Sequence, residues 1–531
     1  MTTLAALAGD IRQALRFCRR APSLTAIAVL SIAVGAGATA VVFTAVKAVL
    51  IEPLPYAQPR DLVVLRSDYA AARSHGDWVA WNDMQDVARR NRSFESLGTY
   101  HYAMFNLAGD SGAPPEALYG LRVSASLFPA LGVKPMLGRN ILPEEDQPHR
   151  NRVLILSDGL WARRFHSDSK AVGRAVNING HDYTVIGVMP PGFDFPLRYG
   201  STIRTPSLHM DFWAALGVDP AKADRADRGF GAVARLRKGV SQAQAQQDLD
   251  TINGDLQRQY PRSNESRLLG LVSLRDRTFG SARTGLWLLL GAAAMFMLIG
   301  CANVANLLLA RGFARRGEFS VRFALGASHG RIVMQLMTES CVLALAGGLA
   351  GYLFTVLAWK PLPAISPMTI PRLASARPDG AVFLFTVAAA LINGLLFGIV
   401  PAFRAAASGK LGLGESGARG SVEGARGGLR PALVAAEVAL AVMLVIVGGL
   451  LGANFLRLLR TDVGFDANHV LASIIVPQGD RYAAPESRAI LWRRILDSAR
   501  RIPGVEFAGA LNNLPFSGEN SGALITADPA D

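Results

Sequence analysis

The chain has 531 residues, half of them hydrophobic, and 53 glycines, a length that allows several domains. Its formal charge of +14 would point a soluble protein toward nucleic acid. Here many arginines flank apolar segments, so the rule that positive charge stays on the cytoplasmic side explains much of the excess, and no nucleic-acid partner is expected. The three cysteines, Cys18, Cys301 and Cys341, lie in or beside apolar segments. The polar region 51–283 has none and so no disulfide, which is still compatible with an extracytoplasmic location.

Residues 1–23 place Ile11, Leu15 and Cys18 on one face, with Arg12, Arg16, Arg19 and Arg20 around them. This pattern predicts a basic amphipathic helix on the cytoplasmic surface of the lipid bilayer. Residues 24–46 are apolar apart from Ser and Thr. At about 1.5 Å per residue they reach about 34 Å, enough for a first span assigned to 24–50. A cleaved signal peptide competes with this reading, but its apolar core would be only about 7–15 residues, so a retained anchor is expected.

Residues 51–283 read as an α+β globular domain. Trp78, Trp81 and Met84 recur at helical spacing between Asp77 and Arg89, which fits core packing better than a binding stripe. Val153-Leu154-Ile155-Leu156 reads as a buried strand, with a helix following through Trp161 and Phe165. Two β-rich runs, 175–178 and 183–188, flank Asn179-Gly180 and predict a hairpin with a type I′ turn. Ser241 is an N-cap candidate. It precedes an apolar face of Ala245, Leu249, Ile252 and Leu256, and Tyr260-Pro261 ends that helix.

A second span is expected at 286–310, within a permease domain at 284–403. The chain then turns basic over 311–331, with Arg311, Arg315, Arg316 and Arg322. Gly326 is placed as the C′ residue of a helix ending at Leu325, and Ser328 as the N-cap of the next. Glu318 and Arg322 share a helix face in the favourable order. Val321, Ala324 and Leu325 give this helix a narrow apolar face. The pattern predicts a structured cytoplasmic elbow between two spans. A basic loop that merely fixes topology is the alternative.

Further spans are expected at 332–359 and 381–403, joined by a Pro-rich loop. Residues 404–430, with Lys410, Arg419 and Arg426, read as a flexible cytoplasmic linker. A fifth span covers 431–456, and 457–531 is polar again. With the N-terminus inside, the basic segments 1–23, 311–331 and 404–430 all fall in the cytoplasm, and 51–283 falls outside.

Three G-x-x-x-G pairs, Gly347/Gly351, Gly394/Gly398 and Gly448/Gly452, permit close helix packing within the bundle or across a dimer. Glu339 and Glu437 lie about two turns inside apolar segments, where a charged group is costly and normally faces protein or water. Their expected role is a polar contact that anchors the elbow and the linker, with a proton pathway as the alternative. Catalytic motifs are not supported. The G-x-G-x-x-G match at 412–417 has no preceding strand. Gly326-Ala327-Ser328-His329-Gly330 joins two helices rather than a strand to a helix. The sequence carries no G-x-x-x-x-G-K-[ST] phosphate loop and no Cys/His cluster with metal-ligand spacing. No catalytic, cofactor-binding or metal residue is therefore expected.

The run Asn303-Val304-Ala305-Asn306-Leu307-Leu308-Leu309-Ala310-Arg311 resembles the signature of MacB/FtsX-type permeases. So do Ala314-Arg315-Arg316-Gly317-Glu318, Val321-Arg322, Ala324-Leu325-Gly326-Ala327 and Thr338-Glu339-Ser340. Runs at 156–165, 187–193 and 239–245 resemble the periplasmic core domain of the same family, so the likeness reaches almost the whole chain. The resemblance implies an α-helical transmembrane bundle of FtsX type with a large α+β periplasmic domain, in a bacterial inner membrane. It implies that the elbow docks on a separate ABC-type ATPase, which binds the ATP and magnesium. It further implies that helix motion passes to the periplasmic domain, in an exporter with a periplasmic adaptor or outer-membrane channel. Polar Asn303 and Asn306 belong to the same signature. A non-transporting regulator of a periplasmic partner, such as a cell-wall hydrolase, is the second reading, and a membrane enzyme is a third without a supporting constellation.

A partial repeat is also legible. Leu429-Arg430-Pro431, the fifth span, a polar region beginning at Thr461 and a helix at 486–502 echo the order of the first copy. The expectation is the front part of a duplicated permease, an intramolecular pseudo-dimer whose second outer domain is cut short. A five-helix protein with a small outer tail is the alternative. The topology yields a direct expectation. A reporter active only outside the cytoplasm should work when fused near residue 200 or 370 and fail near 320 or 415. Activity at residue 320 would overturn the orientation.

Overall fold

Short apolar runs between residues 62 and 273 pair into one mixed sheet. The computed structural model describes residues 2–69, 74–109, 114–196, 209–314, 316–325, 328–362, 372–373, 376–411, 429–461, 469–473, 475, 477, 480–482 and 484–511. Among them the strands are β1 (Leu62–Tyr69), β2 (Ser74–Gly76), β3 (Phe94–Leu107), β4 (Glu116–Val123), β5 (Leu137–Gly138), β6 (Val153–Leu156), β7 (Ala175–Ile178), β8 (His181–Val188), β9 (Phe212–Ala215), β10 (Gly231–Leu236) and β11 (Arg267–Ser273). Their order is β11-β1-β10-β3-β4-β9-β6-β8-β5, with β2 on β1 and β7 bridging β3 and β8. Strands β6, β9 and β10 are buried at every position; β6 and β9 are continuous apolar runs, as strands covered on both faces should be, while β10 also buries Arg235, which donates to the Ala130 and Ala57 carbonyls. At the β7–β8 hairpin, Asn179 and Gly180 take φ of 55° and 84°, the double positive φ that a type I′ turn demands.

The chain divides into two units. One comprises residues 53–281, 368–371 and 471–531, the other residues 1–52, 282–367 and 372–470. In the first, helices α3 (Trp81–Arg90) and α6 (Gln242–Gln259) cover one half of the sheet. Met84, Val87, Leu249, Ile252 and Leu256 pack there on Val63, Leu65 and Leu271. Helix α5 (Asp158–Phe165) covers the other half, around Phe105, Leu154, Val185 and Phe212. Short helices α4 (Leu127–Leu131) and α7 (Pro261–Asn264) complete the unit. Ser157 caps α5 through the Leu160 amide, and Ser241 forms a reciprocal capping box with Gln244 on α6. One expectation is corrected. Helix α3 begins at Trp81, so Trp78 precedes it and stacks edge-on against Tyr102 at 5.6 Å.

The buried face of α3 also carries two acids that periodicity did not reveal. Asp83 is fully buried and Asp86 nearly so. Arg225 reaches both, at 2.7 and 2.5 Å, lies over the Tyr260 ring at 3.6 Å, and thereby staples the 221–230 loop to the helix. Asn264 Nδ2 donates to the other oxygen of Asp83. Near the end of the chain, helix α13 (Pro485–Arg500) has no buried residue. The apolar residues Val470, Leu471 and Ile475 ahead of it are exposed.

In the second unit, α1 (Thr2–Arg20) turns into α2 (Pro22–Val46), which closes with a π-helical turn at Lys47–Ile51. Helices α8 (Leu274–Ala314), α9 (Arg316–Ala324), α10 (His329–Trp359), α11 (Gly380–Leu411) and α12 (Leu429–Leu459) follow. Four stretches among the described residues are long and apolar enough to cross a membrane: Pro22–Ile51, Ala282–Leu309, Gly330–Trp359 and Pro431–Arg457. The span expected at 381–403 falls within α11, whose described apolar stretch is shorter, Gly380–Leu396.

Helices α2, α10 and α11 pack through small residues. A Cβ on Gly351 would lie 3.0 Å from the Ala33 carbonyl oxygen and 3.2 Å from the Gly37 nitrogen, and one on Gly347 would meet Ile32. A Cβ on Gly394 would lie 2.6 Å from that of Ala344, and one on Gly398 would meet Ser340. Around Gly448 and Gly452 the space within 4 Å is open, and α12 is unburied across its span.

Two mutational tests follow from this packing. Removing Asp83 leaves Arg225 with Asp86 alone and takes the acceptor from the buried Asn264 amide, so Asp83→Ala should cost about 1–3 kcal/mol, read as a lower denaturant midpoint by tryptophan fluorescence. Gly394→Leu should destabilise the helical unit by about 1–3 kcal/mol through overpacking, whereas Gly448→Leu should leave this chain's unfolding in detergent unchanged.

Candidate coupling elbow

Helix α9 is short, and its charged pair is set by helical geometry. Glu318 and Arg322 are one turn apart, and their side chains meet at 2.7 Å. The other Arg322 nitrogen donates to Gln335 Oε1 at 2.6 Å, and Gln335 Nε2 donates to Glu339 Oε1 at 3.2 Å. Gln335 and Glu339 are each 4 % exposed. A polar chain thus runs from the surface of α9 to a carboxylate inside a candidate span. Buried polar groups of this kind demand partners, and bonds to charged groups contribute about 1.5–3 kcal/mol each. Moving α9 alone would break the Arg322–Gln335 bond, so α9 and α10 are mechanically tied. Helix α9 also packs against α11.

The apolar face of the elbow is unburied. Val321 is 60 % exposed and Leu325 82 %. Ser328 has the extended backbone of an N-cap, but its side chain makes no capping hydrogen bond; its carbonyl instead accepts the Arg331 amide. This corrects the expected side-chain cap. Arg316 begins α9, while Arg315, Gly326 and Ala327 lie outside the described residues.

The remaining intramembrane polar positions are dispersed. Asn303 on α8 is exposed. Asn306, one turn on, is half-buried, and its Oδ1 finds no hydrogen-bond partner among the described residues. Glu437 lies half-exposed on α12. The structure therefore joins Glu318, Arg322 and Glu339 and leaves Asn303 and Glu437 out.

Residues without any periodic signal complete the unit. Asp10 of α1 is 2 % exposed and takes two bonds from Arg331, both 2.6 Å. At the opposite end of the helices Lys47 bridges Asp379 and Glu52. The Lys47 ammonium holds the Asp379 carboxyl below the usual carboxylate range. Asp379 also caps α11 through the amides of Ala381 and Val382. Trp359 Nε1 donates to the Ala376 carbonyl at 2.7 Å. Gln335, Asp10 and Arg331 were missed in the sequence. The one available clue was an acid, Asp10, in an otherwise basic helix.

Comparison with known proteins fits this geometry. Residues 25–252 match the MacB-like periplasmic core domain, and residues 290–409 match the FtsX-like permease C-terminal domain. The macrolide export ATP-binding/permease protein MacB of Chromobacterium violaceum is 25 % identical over 54 % of this chain and 41 % of its own length. MacB of Marinobacter nauticus is 31 % identical over 52 % of this chain and 40 % of its own. The ABC transporter permease YvrN of Bacillus subtilis is 24 % identical over 54 % of this chain and 67 % of its own. The chain thus spans about two fifths of the length of the MacB relatives it matches. With both domains matched in order, the chain belongs to the MacB/FtsX-type family of ABC transporter permeases, as a multi-pass membrane protein carrying a MacB-like periplasmic α+β domain.

Proposed function

We propose that this chain is the permease part of an ABC export system and that a separate ATPase, carrying ATP and magnesium, docks on residues 311–331. The observation that carries the reading is the Glu318–Arg322–Gln335–Glu339 relay, which ties an exposed helix to the interior of α10. Exposed Val321 and Leu325 give the ATPase an apolar foothold, and the charged pair beside them sets its register. ATPase closure displaces α9, and the relay transmits that displacement to α10. Close packing of α10 on α2 at Gly347 and Gly351 carries it to the helix that leads into the outer domain.

In this reading the N-terminus and residues 311–331 and 404–430 are cytoplasmic in the inner membrane, and 51–283 is periplasmic, where an adaptor or outer-membrane channel would engage. The bare α12 face at Gly448 and Gly452 would meet a second permease half. The name of the MacB relatives, macrolide export proteins, supports export as the class of activity.

Purification from native cells should recover an ABC ATPase with the chain. Leu325→Asp, which lies outside the relay, and Arg322→Glu should each lower that recovery by about tenfold, near 1.4 kcal/mol, with membrane insertion unchanged. ATP hydrolysis at transporter rates by the purified chain alone would overturn the assignment.

A further inference from the structure

Helix α1 is clamped on one face and bare on another. Asp10 and Ala14, one turn apart, are 2 % and 1 % exposed and face α10. Asp10 is the only acid in α1, and both of its oxygens are taken by Arg331, the charge-assisted bidentate geometry that holds most firmly. Arg331 lies in the first turn of α10, three residues beyond its N-cap Ser328, and is the last residue of the 311–331 elbow. The clamp therefore joins α1 to the exit of the elbow rather than to the middle of a span.

The other face has a different composition. Ile11 is 40 % exposed and Leu15 52 %. Arg12, Arg16, Arg19 and Arg20 are all exposed. Helix α1 ends at Arg20, and the first candidate span begins at Pro22. The face is thus continuous with a membrane boundary. Two large apolar side chains bordered by four guanidinium groups match an interface of acyl chains beneath anionic headgroups. Guanidinium binds phosphate oxygens bidentately, so such a surface should respond to headgroup charge and not only to apolar depth.

We propose that α1 reads anionic phospholipid and that the Asp10–Arg331 clamp passes this reading to the elbow. Anionic headgroups hold α1 against the bilayer, and the clamp then steadies the start of α10 and the α9 turn before it. A bilayer poor in anionic lipid leaves α1, and with it the elbow, freer to move. The inference rests on the coupling-elbow reading for its consequence only, because the measurement below contains no ATPase.

The test is hydrogen exchange of the full chain in nanodiscs of phosphatidylcholine, with and without phosphatidylglycerol. Phosphatidylglycerol should slow exchange at least about threefold in residues 2–20 and in 316–335, and about 1 M salt should remove most of the effect. The double variant Arg12→Gln, Arg16→Gln should lose the slowing in both segments. Asp10→Asn should keep it in 2–20 and lose it in 316–335. Asp10→Asn combined with Arg331→Gln leaves no buried charge unpaired and should give the same split, which separates loss of the clamp from misfolding. A wild-type elbow indifferent to headgroup charge would overturn the proposal. So would a double variant whose elbow still follows it. Either result leaves the ATPase-docking reading standing.

Discussion

The helical unit depends on how closely the backbones of α2 and α10 approach. A Cβ on Gly37 would lie 2.8 Å from the Gly351 carbonyl oxygen, and Thr355 Oγ1 donates across the contact to the Gly37 carbonyl. Helices meet at this distance only where side chains are absent, and in lipid such contact replaces the hydrophobic drive that water supplies elsewhere. Helix α11 joins through Gly394 and Gly398, and α8 joins through Gly300 and the Thr39–Ala293 hydrogen bond. The small-residue seam sets α10 against both α2 and α11, while α8 packs on α2. Anything that moves α10 moves the packed group.

Polar contacts are placed where this group needs handles. One end holds the Glu318–Arg322–Gln335–Glu339 relay and the Asp10–Arg331 clamp. The other holds Lys47 between Glu52 and Asp379, with Arg372 donating to the Glu52 carbonyl. Burying a carboxylate such as Glu339 or Asp10 is costly, and each persists only with a firm partner. That cost makes the contacts specific. Few alternative helix arrangements satisfy the same charges, so the polar ends fix the register that the glycine seam alone would leave free to slide.

The globular unit solves a different problem by similar means. Its sheet is covered on one half by α3 and α6 and on the other by α5. The Arg225 staple to Asp83 and Asp86 pins a long surface segment to that covered sheet. Both units thus use apolar packing for bulk stability and a few buried ion pairs for placement.

Much of this was legible in the chain itself. Apolar runs of span length, the Asn179-Gly180 turn, the Ser241 cap and the Glu318–Arg322 pair are local patterns, and each is set by the residues within one turn or one hairpin. The glycine pairs showed that close approach was permitted but not which helix would come close: Gly347, Gly351, Gly394 and Gly398 found neighbours, and Gly448 and Gly452 did not. Periodicity likewise put Ile11, Leu15 and Cys18 on one face of α1, while packing chose Asp10 and Ala14 as the buried face. Asp10 and Arg331 are 321 residues apart in sequence, and Asp83 and Arg225 are 142 apart. No spacing rule connects such pairs. The sequence determined the elements, their apolar faces and the charged elbow, because those follow from backbone periodicity and composition. Tertiary structure alone decided which buried charges meet, because that depends on which faces are brought together when the helices and the sheet pack.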